Sequence, residues 1–301
     1  MSFASNIKQH LCSIVPDAPC CQAAQLCALI CFSGTVNTQK KLKIKTENEG
    51  VAEHAKHLLS QIISPDDFSH ALPKSESGIH TIMISGQDSL AALSDALMLS
   101  QNGDTYLYPF KTICSSPCCK TAFLRGAFLG GGSISDPSKN YHAEFVTKTA
   151  KLADMLFELL LSEQISAKIT VRKNSFVVYI KDSEAIASLL GLMGAGMSMM
   201  EFYNIKIERE VRNNVNRQVN CDNANLDKVT AAAGKQIAAI KKIEAAIGFD
   251  SLPSTLGEIA ALRVQNPEIS LKELGTLLNP PIGKSGVNHR LERICEIAEK
   301  L

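Results

Sequence analysis

Long apolar runs, a charge excess and paired C-x-x-C motifs are all missing from this 301-residue chain. No run of about 18 apolar residues occurs, which excludes an ordinary transmembrane helix. The net charge is only +1, so a nucleic-acid surface would have to arise from local sorting of charge. The start, MSFASNIKQHL, has no long apolar core and no small-residue cleavage site. It does not resemble a signal peptide, so we expect a cytoplasmic protein.

Ten cysteines are present, and a cytoplasmic location predicts that they are reduced thiols. No paired C-x-x-C spacing indicates a zinc site. Cys114, Cys118 and Cys119 lie close together in sequence, but neighbouring cysteines at a helix start do not easily point at one metal. We therefore favour small buried helix residues, and we expect no metal and no cofactor.

Two helical apolar runs end in glycine, Leu26–Gly34 and Leu124–Gly132, and a Cys-Cys pair precedes each. Glycine reaches the left-handed conformation easily, which predicts that Gly130-Gly131-Gly132 ends the second helix. Both runs resemble the LAGLIDADG motif of homing endonucleases. In that family the last acidic residue of each motif holds a divalent metal. Ser33 and Gly131 occupy those positions here, so the resemblance implies a nuclease scaffold without its catalytic acids.

The same order of predicted elements occurs twice along the chain. The first copy has strands at 40–46 and 78–85 and helices at 48–63 and 87–99, before a turn at 101–104. The second has helices at 120–129, 150–162 and 183–193, a strand at 142–148 and a hairpin at 167–181. Two such units predict an α+β, pseudo-two-fold saddle rather than an alternating parallel α/β sheet.

The remainder of the chain is predicted to be helical. Residues 201–225 are rich in asparagine and arginine, and we interpret them as a helix running into a linker. A helix at 226–247 follows, which Gly248 ends. We therefore predict two saddle halves, 1–105 and 106–210, a linker at 211–225 and an all-α helix-turn-helix domain at 226–301.

Two capping-box patterns, Thr255 with Glu258 and Ser270 with Glu273, predict two short helices in that last domain. A rigid turn at 279–283 separates them from a final helix at 285–299. Two short helices joined by a tight turn form a helix-turn-helix, whose second helix enters the major groove.

One face of the final helix is apolar and its amino-terminal half is polar. Val287, Leu291, Ile294 and Ala298 share the apolar face. The candidate contacts to phosphates and base edges are Lys284, Ser285, Asn288, His289, Arg290 and Arg293. Glu292 and Glu296 would repel phosphate farther along the helix. The alternative is a small helical docking module with a solvated outer face.

The predicted strands of the saddle supply a second set of cations. Lys41, Lys43 and Lys45 share one strand face, and Leu42 and Ile44 share the other. In the second half, Lys168 and Arg172 lie opposite Ile169 and Val171. Such faces neutralise phosphates without reading sequence. An ordinary solvated sheet face, or a surface that docks a protein, are the alternatives.

Two stretches together identify a closer relationship, 118–133 (CCKTAFLRGAFLGGGS) and 279–291 (NPPIGKSGVNHRL). The chain resembles the WhiA family of bacterial regulators over nearly its whole length. The resemblance implies a degenerate LAGLIDADG domain joined to a carboxyl-terminal helix-turn-helix, with binding of double-stranded DNA and no cleavage. It also implies a nucleoid-associated role in cell division, chromosome segregation or sporulation.

Two other functions remain open at this point. Asp136 lies near the second motif in a predicted loop, and by folding back it could support a residual metal-dependent nuclease or nickase. Alternatively, the chain is a non-catalytic interaction protein of the division machinery. We expect no membrane contact and no small-molecule substrate.

Overall fold

A computed structural model describes residues 2–36, 41–73, 78–102, 105–107, 116–248 and 251–301 of the chain. Three sequence features, namely Lys40, the Gly103-Asp104 part of the predicted turn and Cys114, lie outside these residues. Two compact units are present, Met1–Arg209 and Glu210–Leu301. Within the described ranges, no helix combines the length and the apolar character that a bilayer span requires.

The first unit contains the two repeated halves. The first half comprises α1 (Phe3–Cys12), α2 (Pro19–Ser33), β1 (Gly34–Val36), β2 (Leu42–Thr46), α3 (Glu49–Leu59), β3 (Phe68–Ala71), β4 (His80–Ile84), α4 (Gln87–Ala96), β5 (Ser100–Asn102) and β6 (Thr105–Leu107). The second half comprises α5 (Pro117–Gly131), β7 (Gly132–Ile134), β8 (Ala143–Thr147), α6 (Ala150–Ser162), β9 (Lys168–Arg172), β10 (Ser175–Ile180) and α7 (Ser183–Leu192).

Both halves build the same antiparallel sheet. The strand order is β1-β2-β4-β3 in the first half and β7-β8-β10-β9 in the second. Alternate residues of β2 are buried, with Leu42 and Ile44 at 1% exposure, because one face of the sheet packs on the helices. The predicted hairpin is confirmed, and Lys173 in its turn adopts a positive φ of 55°.

Helices α2 and α5 form the centre of this unit, and both are buried along most of their length. A Cβ atom on Gly126 of α5 would overlap the backbone carbonyl of Gln25 in α2 and lie 2.9 Å from the Cβ of Ala28. A Cβ atom on Gly130 would lie 3.0 Å from the carbonyl oxygen of Leu29. The absence of side chains at Gly126 and Gly130 therefore permits the close approach of the two helices.

The glycines at the end of α5 have a different role from the one expected. Gly132 caps the helix with φ −86° and ψ 150°, which is extended backbone open to any residue. The prediction of a left-handed helix end was therefore wrong. A Cβ atom on Gly132 would overlap the Phe128 ring, so lack of space rather than backbone conformation requires glycine here.

We predict that Gly126→Ala destabilises the first unit by about 1–3 kcal/mol, because the added methyl group forces α2 and α5 apart. Gly196→Ala is the matched control, since a Cβ atom there would meet nothing within 4 Å. Chemical denaturation followed by circular dichroism measures both variants. Equal stabilities would contradict the close approach of the two helices.

A buried chain of polar side chains crosses the same helix contact. Arg125 donates to the side-chain oxygen of Gln25 (3.4 Å) and to the backbone carbonyl of Met193 (3.1 Å). The Gln25 amide in turn donates to Nε2 of His54 (2.6 Å). This arrangement requires an unprotonated Nε2. Burial lowers the pKa of His54 to about 4, and the nearby His57 charge contributes a smaller part of that shift.

The depressed pKa of His54 predicts that the first unit loses stability in mild acid. Neutral His54 contributes fully above the unfolded pKa of about 6.5, and that contribution decreases as the pH falls towards 4. The total change is roughly 3 kcal/mol at 1.36 kcal/mol per pKa unit. Urea unfolding between pH 4 and 7 should show this slope in the wild type and a much smaller one in His54→Gln. His57→Gln, an exposed change on the same helix, should retain most of it.

All regular secondary structure among the described residues of the second unit is helical. It contains the end of α8 (Gly196–Ile247), followed by α9 (Ser254–Gln265), α10 (Leu271–Thr276) and α11 (Lys284–Lys300). The capping box of Ser270 and Glu273 is confirmed. The one predicted for Thr255 and Glu258 was wrong, because α9 begins at Ser254 after Pro253 and has no side-chain cap.

The segment expected to be a linker is helical in the structure. Helix α8 continues from Gly196 to Ile247 without interruption and therefore includes residues 211–225. Residues 210–228 are exposed, so this stretch has no buried stripe from which the sequence could indicate a helix. Gly248 ends the helix with φ +75°, in the left-handed region that the sequence predicted for a glycine stop.

Candidate nucleic-acid interface

The carboxyl-terminal ends of α2 and α5 are where a LAGLIDADG enzyme would hold its metal. The Ser33 hydroxyl donates to the carbonyl oxygen of Leu29 (2.7 Å) and is thus used within its own helix. A Cβ atom on Gly131 would lie 2.6 Å from the carbonyl oxygen of Val146 and 3.1 Å from the Phe32 ring. A hydroxyl and a crowded glycine do not fit a divalent metal, which prefers carboxylate ligands.

A lysine occupies the same region. The Lys8 ammonium donates to the carbonyl oxygen of Leu129 (3.3 Å), close to the end of α5. Lys8 lines an open cleft of about 820 Å³ together with Lys45, Gly130 and Ser133. Burial lowers the pKa of Lys8. Glu47 also lines the cleft, so two ammonium groups face one carboxylate, and the net positive charge favours phosphate over magnesium.

Asp136 is engaged inside its own loop. Its carboxylate accepts hydrogen bonds from the Ser138 hydroxyl (2.6 Å) and the Ser138 backbone amide (2.9 Å). These bonds hold the pKa of Asp136 below its usual value. The folding back that a residual metal site would require is not observed.

The lysines of the first sheet lie as the alternation predicted. Lys43 is paired with Thr35 and Met83 on the open face of the sheet, opposite the buried Leu42 and Ile44. Lys45 follows two residues later on that face and is exposed, whereas Lys41 and Lys43 are half-buried. The face is therefore cationic and accessible.

The open face of the second sheet is less basic than the sequence indicated. Arg172 makes two hydrogen bonds to the Glu144 carboxylate, at 3.1 and 3.3 Å, and His142 makes a third at 3.2 Å. Burial opposes ionisation of Glu144, but these contacts outweigh it and hold the pKa of that carboxyl below its usual value. The charge of Arg172 is thus partly neutralised, while Lys168 on the same strand is exposed.

In the second unit, α11 presents the predicted polar side chains outward. Val287, Leu291, Ile294 and Ala298 are at most 4% exposed and pack on α9 and α10. The outward side chains are Lys284, Ser285, His289 and Arg293, which are exposed, and Asn288 and Arg290, which are half-buried.

The turn before α11 depends on Gly275. A Cβ atom there would overlap the carbonyl of Ile282 and contact Val287 at 3.1 Å. The Ile282 amide also donates to the carbonyl of Gly275 (3.1 Å).

Two of the predicted contact residues are engaged within α11, since Asn288 donates to Glu292 (2.8 Å) and Arg293 pairs with Glu296 (3.2 Å). Such exposed pairs are weak and are easily exchanged for phosphate contacts.

Three charged residues at these candidate surfaces were not predicted from the sequence, namely Lys8, Glu144 and Lys181. Lys8 lies in α1, whose buried Ile7 and Leu11 have helical spacing that could have indicated the helix. Glu144 lies on the polar side of a predicted strand, but its pairing with Arg172 depends on the folded sheet. Lys181 packs over the Tyr179 ring at 5.4 Å, beside that pair.

The chain matches two family models: the WhiA LAGLIDADG-like domain at residues 120–212 and the WhiA C-terminal HTH domain at residues 215–298. A probable cell division protein WhiA from Alkaliphilus metalliredigens is 41% identical over 316 residues, covering 100% of this chain and 98% of that protein. One from Lachnospira eligens is 42% identical over 309 residues, with coverage of 100% and 98%. The chain belongs to the WhiA family.

Solved WhiA structures show the same fold. Full-length DUF199/WhiA from Thermatoga maritima matches with a TM-score of 0.59 and 25% identity, covering 100% of this chain and 99% of that one. The N-terminal LAGLIDADG domain of DUF199/WhiA matches with a TM-score of 0.51 and 20% identity, over 64% and 92%. The predicted fold class, a LAGLIDADG-like α+β saddle followed by a helix-turn-helix domain, is thus confirmed.

Proposed function

We propose that this chain is a sequence-specific DNA-binding regulator of transcription that acts in cell division and does not cleave DNA. The polar amino-terminal half of α11, presented outward from a buried apolar face, carries the proposal. Its first turn contains Lys284 and no acidic residue, so the positive end of the helix dipole is available to phosphate. Relatives of this chain are called probable cell division proteins, which supports the cellular process.

In this proposal the two units contribute differently to DNA binding. Helix α11 reads base edges with Ser285, Asn288, His289, Arg290 and Arg293. The open sheet faces of the saddle add phosphate contacts through Lys41, Lys43, Lys45 and Lys168, with a smaller share from Arg172. We also propose that the saddle binds a protein partner. The open face of its second sheet carries both charge signs, with Glu144 beside Arg172, and such a mixed face is suited to contact with another protein.

We predict that Arg290→Ala or Arg293→Ala weakens binding to the operator by about 1–3 kcal/mol if the side chain contacts a base. Lys241→Ala is the matched control, because it also removes one exposed positive charge but lies on α8. Gel shifts at one stated salt concentration, on genomic fragments and on a scrambled duplex, measure all three variants. Unchanged affinity in both arginine variants would show that α11 is not the reading helix.

We also predict that the chain leaves supercoiled plasmid intact in the presence of magnesium or manganese, because neither Ser33 nor Gly131 supplies a carboxylate. The assay follows conversion to nicked and linear forms on a gel. Asp136→Asn is the companion variant, since Asp136 is the acid nearest to the second motif in sequence. Cleavage that persists through purification and disappears in this variant would establish a nuclease instead.

A further inference from the structure

Four cysteines from two distant parts of the chain meet in the first unit. Cys20 and Cys21 lie in the first turn of α2, directly after Pro19, and Cys118 and Cys119 lie in the first turn of α5, directly after Pro117. The four sulfur atoms all lie within 4.8 Å of one another. All four are free thiols, two of them buried and two exposed.

This convergence corrects the argument made from the sequence. The two sulfur atoms of each adjacent pair lie within 4.8 Å of each other, and the second pair, which the sequence places about 100 residues away, closes the group from another helix. Because α2 and α5 pack closely with their amino-terminal ends together, each pair completes the other. The cluster is built by tertiary contact, so local spacing such as C-x-x-C does not reveal it.

We propose that Cys20, Cys21, Cys118 and Cys119 together bind one zinc ion, which joins the amino-terminal ends of α2 and α5. Zinc binds four cysteine thiolates in a tetrahedron with Zn–S distances of about 2.3 Å, which places the sulfurs about 3.8 Å apart. The sulfurs need to contract by only about 1 Å at most from their present separation. With four protein ligands the site is closed, so the metal is structural rather than catalytic.

The helix ends around the thiols offset the cost of ionising them. Burial raises the pKa of both Cys21 and Cys119, so a metal ion has to displace their protons on binding. The Ser116 side chain lies 3.2 Å from Cys118 and lowers the pKa of that thiol. Two helix amino termini, with no acidic residue in either first turn, further stabilise thiolates.

The charges balance in a simple way. Binding of one Zn²⁺ ion to four thiols releases four protons and leaves a site with a net charge of about −2. Arg125, about two turns farther along α5, interacts electrostatically with Cys21 and offsets part of that charge. The nearby Lys120 pairs with Glu163 (2.8 Å), so it is already partly neutralised.

Metal analysis of the untagged full-length protein, purified under reducing conditions, tests the proposal. We expect close to one zinc per chain in the wild type. We expect at least a tenfold loss of zinc affinity in the double variant Cys20→Ser/Cys118→Ser, whose two positions are exposed and tolerate serine. Cys221→Ser, an exposed cysteine on α8 outside the cluster, is the control and should retain the zinc.

Cobalt substitution provides a readout that needs no variant. Wild-type protein titrated with Co²⁺ should develop thiolate charge-transfer and tetrahedral ligand-field bands that saturate at one equivalent and vanish on addition of zinc. Absence of these bands and of bound zinc, or disulfides within the cluster in the freshly reduced protein, would overturn the proposal. So would zinc that the double variant retains in full. DNA binding is measured separately, so failure of either proposal leaves the other intact.

Discussion

Gly126 lies so close to the backbone of α2 that a methyl group in its place would overlap the Gln25 carbonyl. This approach brings the two central helices together along their length. Because of it the thiol pairs meet at one end, Arg125 reaches Gln25 in the middle, and the glycine-ended turns lie side by side at the other end. Each of these features follows from the direct contact between the backbones of the two helices, with no side chain between them at Gly126.

The same close packing leaves little room for a catalytic carboxylate at the ends of the two helices. A carboxylate at the end of each helix needs space for its Cβ atom and its oxygens. The carbonyl oxygen of Val146 and the Phe32 ring take that space at Gly131, and the Ser33 hydroxyl bonds back to its own helix. Lys8 then supplies positive charge to the cleft as a fixed side chain. Attraction for phosphate in this cleft therefore does not depend on a bound metal ion.

Elements with several turns or alternations could be predicted from the sequence, and shorter or non-local features could not. The span of α6 and the buried face of α11 follow from apolar spacing. The three-residue strands β1 and β7 are too short to show a period. The helical structure of residues 211–225 is not apparent from the sequence, because an exposed helix has no apolar stripe. The candidate residues on α11 were found by their helical spacing. The Arg172–Glu144 pair and the four-sulfur cluster depend on contacts between distant segments.

Strand β9 has a consequence for self-association of this chain. It is the edge strand of its sheet, and Val171 and Ile169 are 62% and 36% exposed on it. An apolar edge with unpaired backbone groups is a template for pairing with another copy, and charged side chains are the usual protection against this. Lys168 and Arg172 flank those residues, and Lys168 provides the larger share of the repulsion because Glu144 partly neutralises Arg172. Neutralising both cations would therefore promote self-association through the strand edge, independently of any loss of nucleic-acid binding.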